Sequence, residues 1–189
     1  MITPIFRFLF CLLPTAYCLL FYSTSCKQKT DYSKEISRLD SASTVLITAE
    51  KILSSADTNL LHSSYNSVAG NLHAVIEKLS KDTVKKKTAE FLSSAYQQSG
   101  NILNLLQNKN YLEKAITESQ KRINDLKHDL NENLIDKNKS AAYIVSEINS
   151  SGKIYDIINK SVERAKSSAA KLDSLKTKIS AIADSLKGK

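Results

Sequence analysis

Proline and glycine are scarce in this sequence, and their scarcity argues against a fold built on many tight turns. The 189 residues include four glycines and two prolines, and both prolines, Pro4 and Pro14, lie within the first 14 residues. Sheet proteins place glycine and proline at their corners, whereas the interiors of long helices exclude proline. The composition therefore predicts an all-α protein, and the chain length predicts one domain.

The sequence also lacks the residue patterns that common active sites require. It contains no GxSxG elbow, no P-loop and no GxGxxG motif. Its histidines, His62, His73 and His128, do not have the spacing of zinc ligands. Asp125 and Asp129 lie four residues apart, a common arrangement on an exposed helix face. We therefore predict that the protein is not an enzyme and binds neither a cofactor nor a metal ion.

Long apolar runs are absent except near the N-terminus. Residues 8–22 read FLFCLLPTAYCLLFY, and Arg7 precedes them. A basic residue, an apolar run of this length and a following zone of small residues form the pattern of a secretory signal peptide. The run is shorter than the roughly 20 residues that span a bilayer. We therefore predict a signal peptide over residues 1–25 and export of the protein.

Cysteine occurs only within the first 26 residues, and the last cysteine follows small side chains in the run Ser23-Thr24-Ser25-Cys26. This run resembles the lipobox of bacterial lipoproteins, with Ser23 at the position where that family usually has leucine. The resemblance implies that Cys26 is diacylated and becomes the new N-terminus, and that residues 26–32 form a tether. Two acyl chains hold a protein stably on a membrane. The expected location is the bacterial cell envelope, membrane-anchored and facing the periplasm, with the outer membrane or cell surface as alternatives.

Apolar residues recur every seven positions in the rest of the chain and predict helices over residues 33–80, 83–134 and 140–187. The first predicted stripe consists of Leu39, Leu46, Leu53 and Leu60, with Ala42, Ala49 and Ala56 three residues after the first three of them. The register then slips by one residue, and the stripe continues through Leu61, Val68 and Val75, with Tyr65, Leu72 and Leu79. Local rewinding could absorb this slip. Alternatively, it marks a helix break near Asp57 and Thr58, which are suitable N-cap residues.

The second predicted helix has a stripe with two polar exceptions, Lys109 and Ser119. Its apolar members are Ile102, Ile116, Ile123 and Leu130, with Leu105, Leu112 and Leu126 at the partner position. Glu118 and Arg122 are spaced to pair along the helix. Asn110 followed by Glu113 resembles a capping box, at which a helix could restart.

The third predicted helix has Ser140 as its N-cap. Its stripe consists of Ile144, Ile158, Ala165, Leu172, Ile179 and Leu186. The connections before the second and third helices are short and polar, and short connections favour antiparallel neighbours. Residues 33–189 are therefore predicted to form an elongated antiparallel three-helix bundle, which resembles a spectrin-like bundle in outline without sharing a motif. The alternative is four to five shorter helices with breaks near Asp57 and Asn110.

The tyrosines and the net charge bear on the core and the surface of the predicted bundle. Five tyrosines lie on or beside the stripes and are expected at the core or its edge: Tyr65, Tyr96, Tyr111, Tyr143 and Tyr155. The net charge of the chain is +8. Its one run of consecutive basic residues, Lys85 to Lys87, is expected to be exposed to water. We predict a non-enzymatic membrane-anchored envelope lipoprotein that acts as a helical spacer or protein-interaction module. The alternative is a periplasmic chaperone or a small-ligand-binding helical protein.

The predicted partners are the membrane, through the lipid anchor, and another envelope protein. Nucleic acid is not expected as a partner, because export separates the protein from it and aromatic residues are not interleaved with the bases. The seven-residue pattern is also compatible with assembly into a coiled-coil homo-oligomer.

Overall fold

The computed structural model describes residues 30–79 and 85–187. The predicted signal peptide and Cys26 lie outside these residues. Four helices account for the regular structure of the described residues: α1 (Ser33–Ser54), α2 (Thr58–Leu79), α3 (Lys86–Asn131) and α4 (Lys137–Lys187). The prediction of an all-α protein is confirmed. The count of three helices was wrong, and the alternative of four to five helices fits.

The extra helix arises because the first predicted helix is broken after Ser54. Asp57 is the N-cap of α2, as predicted, because its Oδ1 accepts a hydrogen bond from the backbone N–H of Leu60 at 3.0 Å. Leu60, which was expected on the apolar stripe, is 59% exposed, whereas Leu61 is 2% exposed. The one-residue register slip is therefore resolved by a new helix start rather than by rewinding.

Hydrogen bonds between distant residues fix the directions of the helices. Thr30 pairs with Asn133 across 103 residues, and Lys78 pairs with the backbone of Leu186 across 108 residues. This nearly constant separation means that α1 and α2 follow one another alongside α4 and run parallel to it. The pairing of Asn101 with Ser168 and that of Arg122 with Glu147 show that α3 runs antiparallel to α4.

One continuous apolar core joins the four helices. Residues at the predicted heptad positions fill it, including Leu39, Leu46, Leu53, Ile102, Ile116, Ile123, Leu130, Ile144, Ile158, Leu172 and Ile179. With 51 residues, α4 is about 77 Å long at 1.5 Å per residue. The fold therefore has two well-separated ends. We call the end with the α3–α4 turn, at residues 132–136, the entry end, and the opposite end, which holds Leu79 and Lys86, the far end.

The break near Asn110, which was the alternative to a continuous helix, does not occur. Helix α3 is continuous for 46 residues, and Lys109 lies 3.9 Å from the carboxylate of Glu113 one turn later. This ion pair occupies the side chain that a capping box would have used. The apolar residues on either side of Asn110 stay in one heptad phase, so the helix has no register change to accommodate there.

The N-cap of α4 was also predicted wrongly. The helix begins at Lys137, and Asp136 is its cap, because Asp136 Oδ1 accepts a hydrogen bond from the N–H of Asn138 at 2.8 Å. Ser140 is instead buried one turn inside the helix, where its hydroxyl donates to the carbonyl of Lys137 at 2.8 Å. An aspartate four residues before the expected cap had the same capping capacity.

Arg122 pairs between helices rather than along α3. Its Nε lies 3.0 and 3.2 Å from the two carboxylate oxygens of Glu147 on α4. Glu118, its predicted partner, lies 3.7 Å from Lys114 instead. Three of the five tyrosines predicted at the core or its edge are exposed, namely Tyr96, Tyr111 and Tyr143, whereas Tyr65 and Tyr155 pack against the core.

Candidate functional site

The residues with catalytic or metal-binding chemistry are dispersed. His62, His73 and His128 are all exposed and lie on different parts of the helices. Across residues 30–79 and 85–187, no group of three or more His, Cys, Asp or Glu side chains could hold a metal ion. The candidates for a functional site among the described residues are therefore surfaces and grooves.

The chain joins the bundle at its entry end. The N–H of Thr30 donates to Asn133 Oδ1 at 3.0 Å, and the hydroxyl of the buried Tyr32 donates to the carbonyl of Ile135 at 3.1 Å. Between these residues, a hydrogen bond from the N–H of Ser33 lowers the pKa of Asp31. These contacts fasten the start of the described chain to the α3–α4 turn.

A large groove lies between α2 and α3 near the far end. We call it the far-end groove; its volume is about 710 Å³. Its walls are mainly apolar and include Tyr65, Leu72 and Ile76 of α2, and Leu92 and Tyr96 of α3. Ligand sites of small molecules have similar volumes, roughly 300–1,000 Å³, and are mostly apolar with a few polar groups.

A single buried hydroxyl lies at the inner end of this groove. Ser99 is 6% exposed, and its Oγ has no hydrogen-bond partner among the described residues. The buried Ser168 on α4, by contrast, donates to Gln98 at 2.8 Å and accepts from Asn101 at 3.0 Å. A buried polar group without a partner is costly. A ligand that offered Ser99 a hydrogen-bond partner would therefore remove this cost.

A second groove lies between α2 and α4 beside the helix break; we call it the mid groove, and its volume is about 530 Å³. Its lining is more polar than that of the far-end groove and includes Ser63, Lys166 and Asp173. Lys166 Nζ already donates to Ser55 Oγ at 3.1 Å. The mid groove is thus less suited to an apolar ligand.

Positive charge is concentrated at the far end. Residues 62–79, 85–98 and 171–186 meet there and contain seven basic and four acidic side chains, a net charge of +3. Residues 30–61 and 99–170 contain 14 basic and 14 acidic side chains, a net charge of zero. The whole surplus of the described chain is therefore gathered at one end, which favours anionic ligands or surfaces.

One signal of the far-end groove was overlooked in the sequence. Ser99 follows the buried Leu92 by seven residues, so it lies two turns further along the same face of α3 and places a hydroxyl there. None of the helices in residues 30–79 and 85–187 combines the length and the apolar character needed to span a bilayer.

In comparisons with known proteins, no family model matches this chain, and neither the curated proteins nor the solved structures give a significant match.

Proposed function

We propose that this protein is a non-enzymatic, lipid-anchored envelope protein whose helical body acts as a spacer and presents its far end to a partner. The observation that supports this proposal is the attachment of Thr30 and Tyr32 to the entry end of an elongated bundle. A lipid on Cys26 would then lie at one extreme of the molecule rather than beside its middle.

The distances suit a spacer. Cys26 precedes Thr30 by four residues, which reach at most about 14 Å when extended. Helix α4 extends about 77 Å from the same end. A short tether beside a long body would keep the entry end near the bilayer and allow the basic far end to contact a partner well away from it.

Metabolic labelling with a clickable fatty-acid analogue tests the anchor. We expect the full chain to incorporate the label and to fractionate with membranes, and Cys26→Ser to lose both properties. Cys18→Ser is the matched control, because it removes a cysteine of the predicted signal peptide and should leave labelling intact. Equal labelling of Cys26→Ser and the unaltered chain would contradict a lipid anchor at Cys26.

The far-end groove favours a second candidate function, the binding of small apolar ligands. An apolar dye whose fluorescence reports its surroundings should bind the protein. Ser93→Trp, which places a large side chain in the far-end groove, should reduce this binding. Ser63→Trp makes the same change in the mid groove and should not. Equal effects of the two substitutions would argue against the far-end groove as the binding site.

A further inference from the structure

We infer that the far-end groove binds an elongated anionic amphiphile, with its hydrocarbon chain between α2 and α3, its anionic headgroup at the basic far end, and a second polar group beside Ser99. This inference rests on the proposed ligand-binding function and names the class of ligand. It does not depend on lipidation of Cys26.

The shape of the groove indicates a linear ligand. Its lining extends along α2 from Tyr65 to Glu77 and along α3 from Ala89 to Ser99, which corresponds to about 15–18 Å of helix. Leu72 and other apolar side chains lie along this length. An extended hydrocarbon chain fits a long, narrow and apolar groove of this kind, and burying each methylene group would strengthen binding.

The charges at the outer end indicate an anionic headgroup. Lys85 is the N-cap of α3 and Lys86 is its first residue, so both lie within about one turn of Ala89, the outermost α3 residue of the groove lining. Lys86 is largely exposed and only loosely paired, since its Nζ lies 4.0 Å from Glu90. Glu77 also lines this end of the groove, but the net charge of residues 62–79, 85–98 and 171–186 is +3, so the end as a whole would attract a carboxylate or phosphate and repel a cation.

The inner end indicates a second polar group on the ligand. The unpartnered Oγ of Ser99 lies at the opposite end of the groove from Lys85 and Lys86. A plain hydrocarbon tail would leave this hydroxyl without a hydrogen bond, whereas a hydroxyl on the tail would satisfy it. One such hydrogen bond should tighten binding by up to about tenfold.

Photolabelling of the full chain in neutral phosphatidylcholine nanodiscs tests the site. A photoreactive dodecanoate should form adducts on peptides containing residues 65–77 and 89–99. Unlabelled dodecanoate should compete at least tenfold better than dodecanol, which has the same chain without the charge. The absence of adducts from both peptides would overturn the ligand-binding function as well as this inference, whereas equal competition by dodecanol would overturn only the anionic headgroup.

Two sets of variants test the ends of the ligand separately. Lys85→Glu with Lys86→Glu should weaken labelling several-fold, whereas Lys137→Glu with Lys139→Glu, the same charge change at the entry end, should not. The ω-hydroxy derivative of dodecanoate should compete better than dodecanoate against the unaltered protein, and this advantage should disappear in Ser99→Ala. Equal effects of the two lysine pairs would refute the headgroup position, and an unchanged advantage in Ser99→Ala would refute the role of Ser99.

Discussion

Two buried serines offer a controlled measurement of what an unpaired hydroxyl costs in this core. Ser119 on α3 is fully buried, and its Oγ has no hydrogen-bond partner among the described residues. Ser151 on α4 is equally buried, but its hydroxyl donates to the carbonyl of Glu147 at 2.8 Å. Replacing each serine by alanine therefore makes the same chemical change in two different hydrogen-bonding situations.

The expected changes in the free energy of unfolding have opposite signs. Alanine improves helix propensity by about 0.5 kcal/mol at either position. At Ser119 it also removes an unsatisfied hydroxyl, worth about 1 kcal/mol or more, so Ser119→Ala should stabilise the protein by about 1.5 kcal/mol. At Ser151 it removes a hydrogen bond worth about 1 kcal/mol, so Ser151→Ala should destabilise the protein by about 0.5 kcal/mol.

Urea denaturation followed by far-ultraviolet circular dichroism measures both changes. The dependence of the unfolding free energy on urea concentration should be the same in both variants, so that the midpoints report stability directly. A Ser119→Ala variant less stable than the unaltered protein would refute the reasoning, because it would show that the hydroxyl contributes favourably. Identical shifts in the two variants would show that helix propensity alone decides the outcome.

Three further substitution pairs test the helix break and the interhelical ion pair. Leu61→Ala should destabilise the protein by about 2–4 kcal/mol in a thermal or urea unfolding assay, whereas Leu60→Ala should change its stability by less than about 0.5 kcal/mol; similar losses would mean that the register slip lies elsewhere. Asp57→Ala should cost about 1 kcal/mol, and Asp57→Asn, which keeps a capping oxygen, should cost much less; equal losses would exclude capping as the cause. Glu147→Gln should lower stability by up to about 1 kcal/mol at low salt and less at high salt, whereas Glu118→Gln should have little effect; the reverse order would support pairing along α3.

Much of the fold follows from local sequence properties. The seven-residue spacing of residues such as Leu39, Ile123 and Leu172 identified the buried positions, because a helix returns to nearly the same face every two turns. The slip after Leu53 and the capping capacity of Asp57 indicated where a break could occur. Whether the helix rewinds or breaks there depends on how α1 and α2 pack against α3 and α4. The periodicity of the sequence carries no information about that packing.

The partners of individual side chains were beyond the reach of the sequence. Arg122 had Glu118 one turn away, yet the structure brings Glu147 closer from a helix 25 residues further along the chain. The predicted burial of three tyrosines was wrong for a related reason. Tyr96 and Tyr111 lie beside the stripe, and the placement of the neighbouring helices leaves them exposed.

The sequence by itself determined that this protein is helical, most of the apolar positions of its core and that its net charge is positive, because these properties depend on composition and short-range spacing. Only the tertiary structure decided that the surplus charge gathers at one end and that an apolar groove opens beside it. The groove lies between the consecutive helices α2 and α3, and the charged end also includes α4 around Lys178, about 90 residues further along the chain than Lys86. They come together because α1 and α2 follow α4 in parallel while α3 runs in the opposite direction.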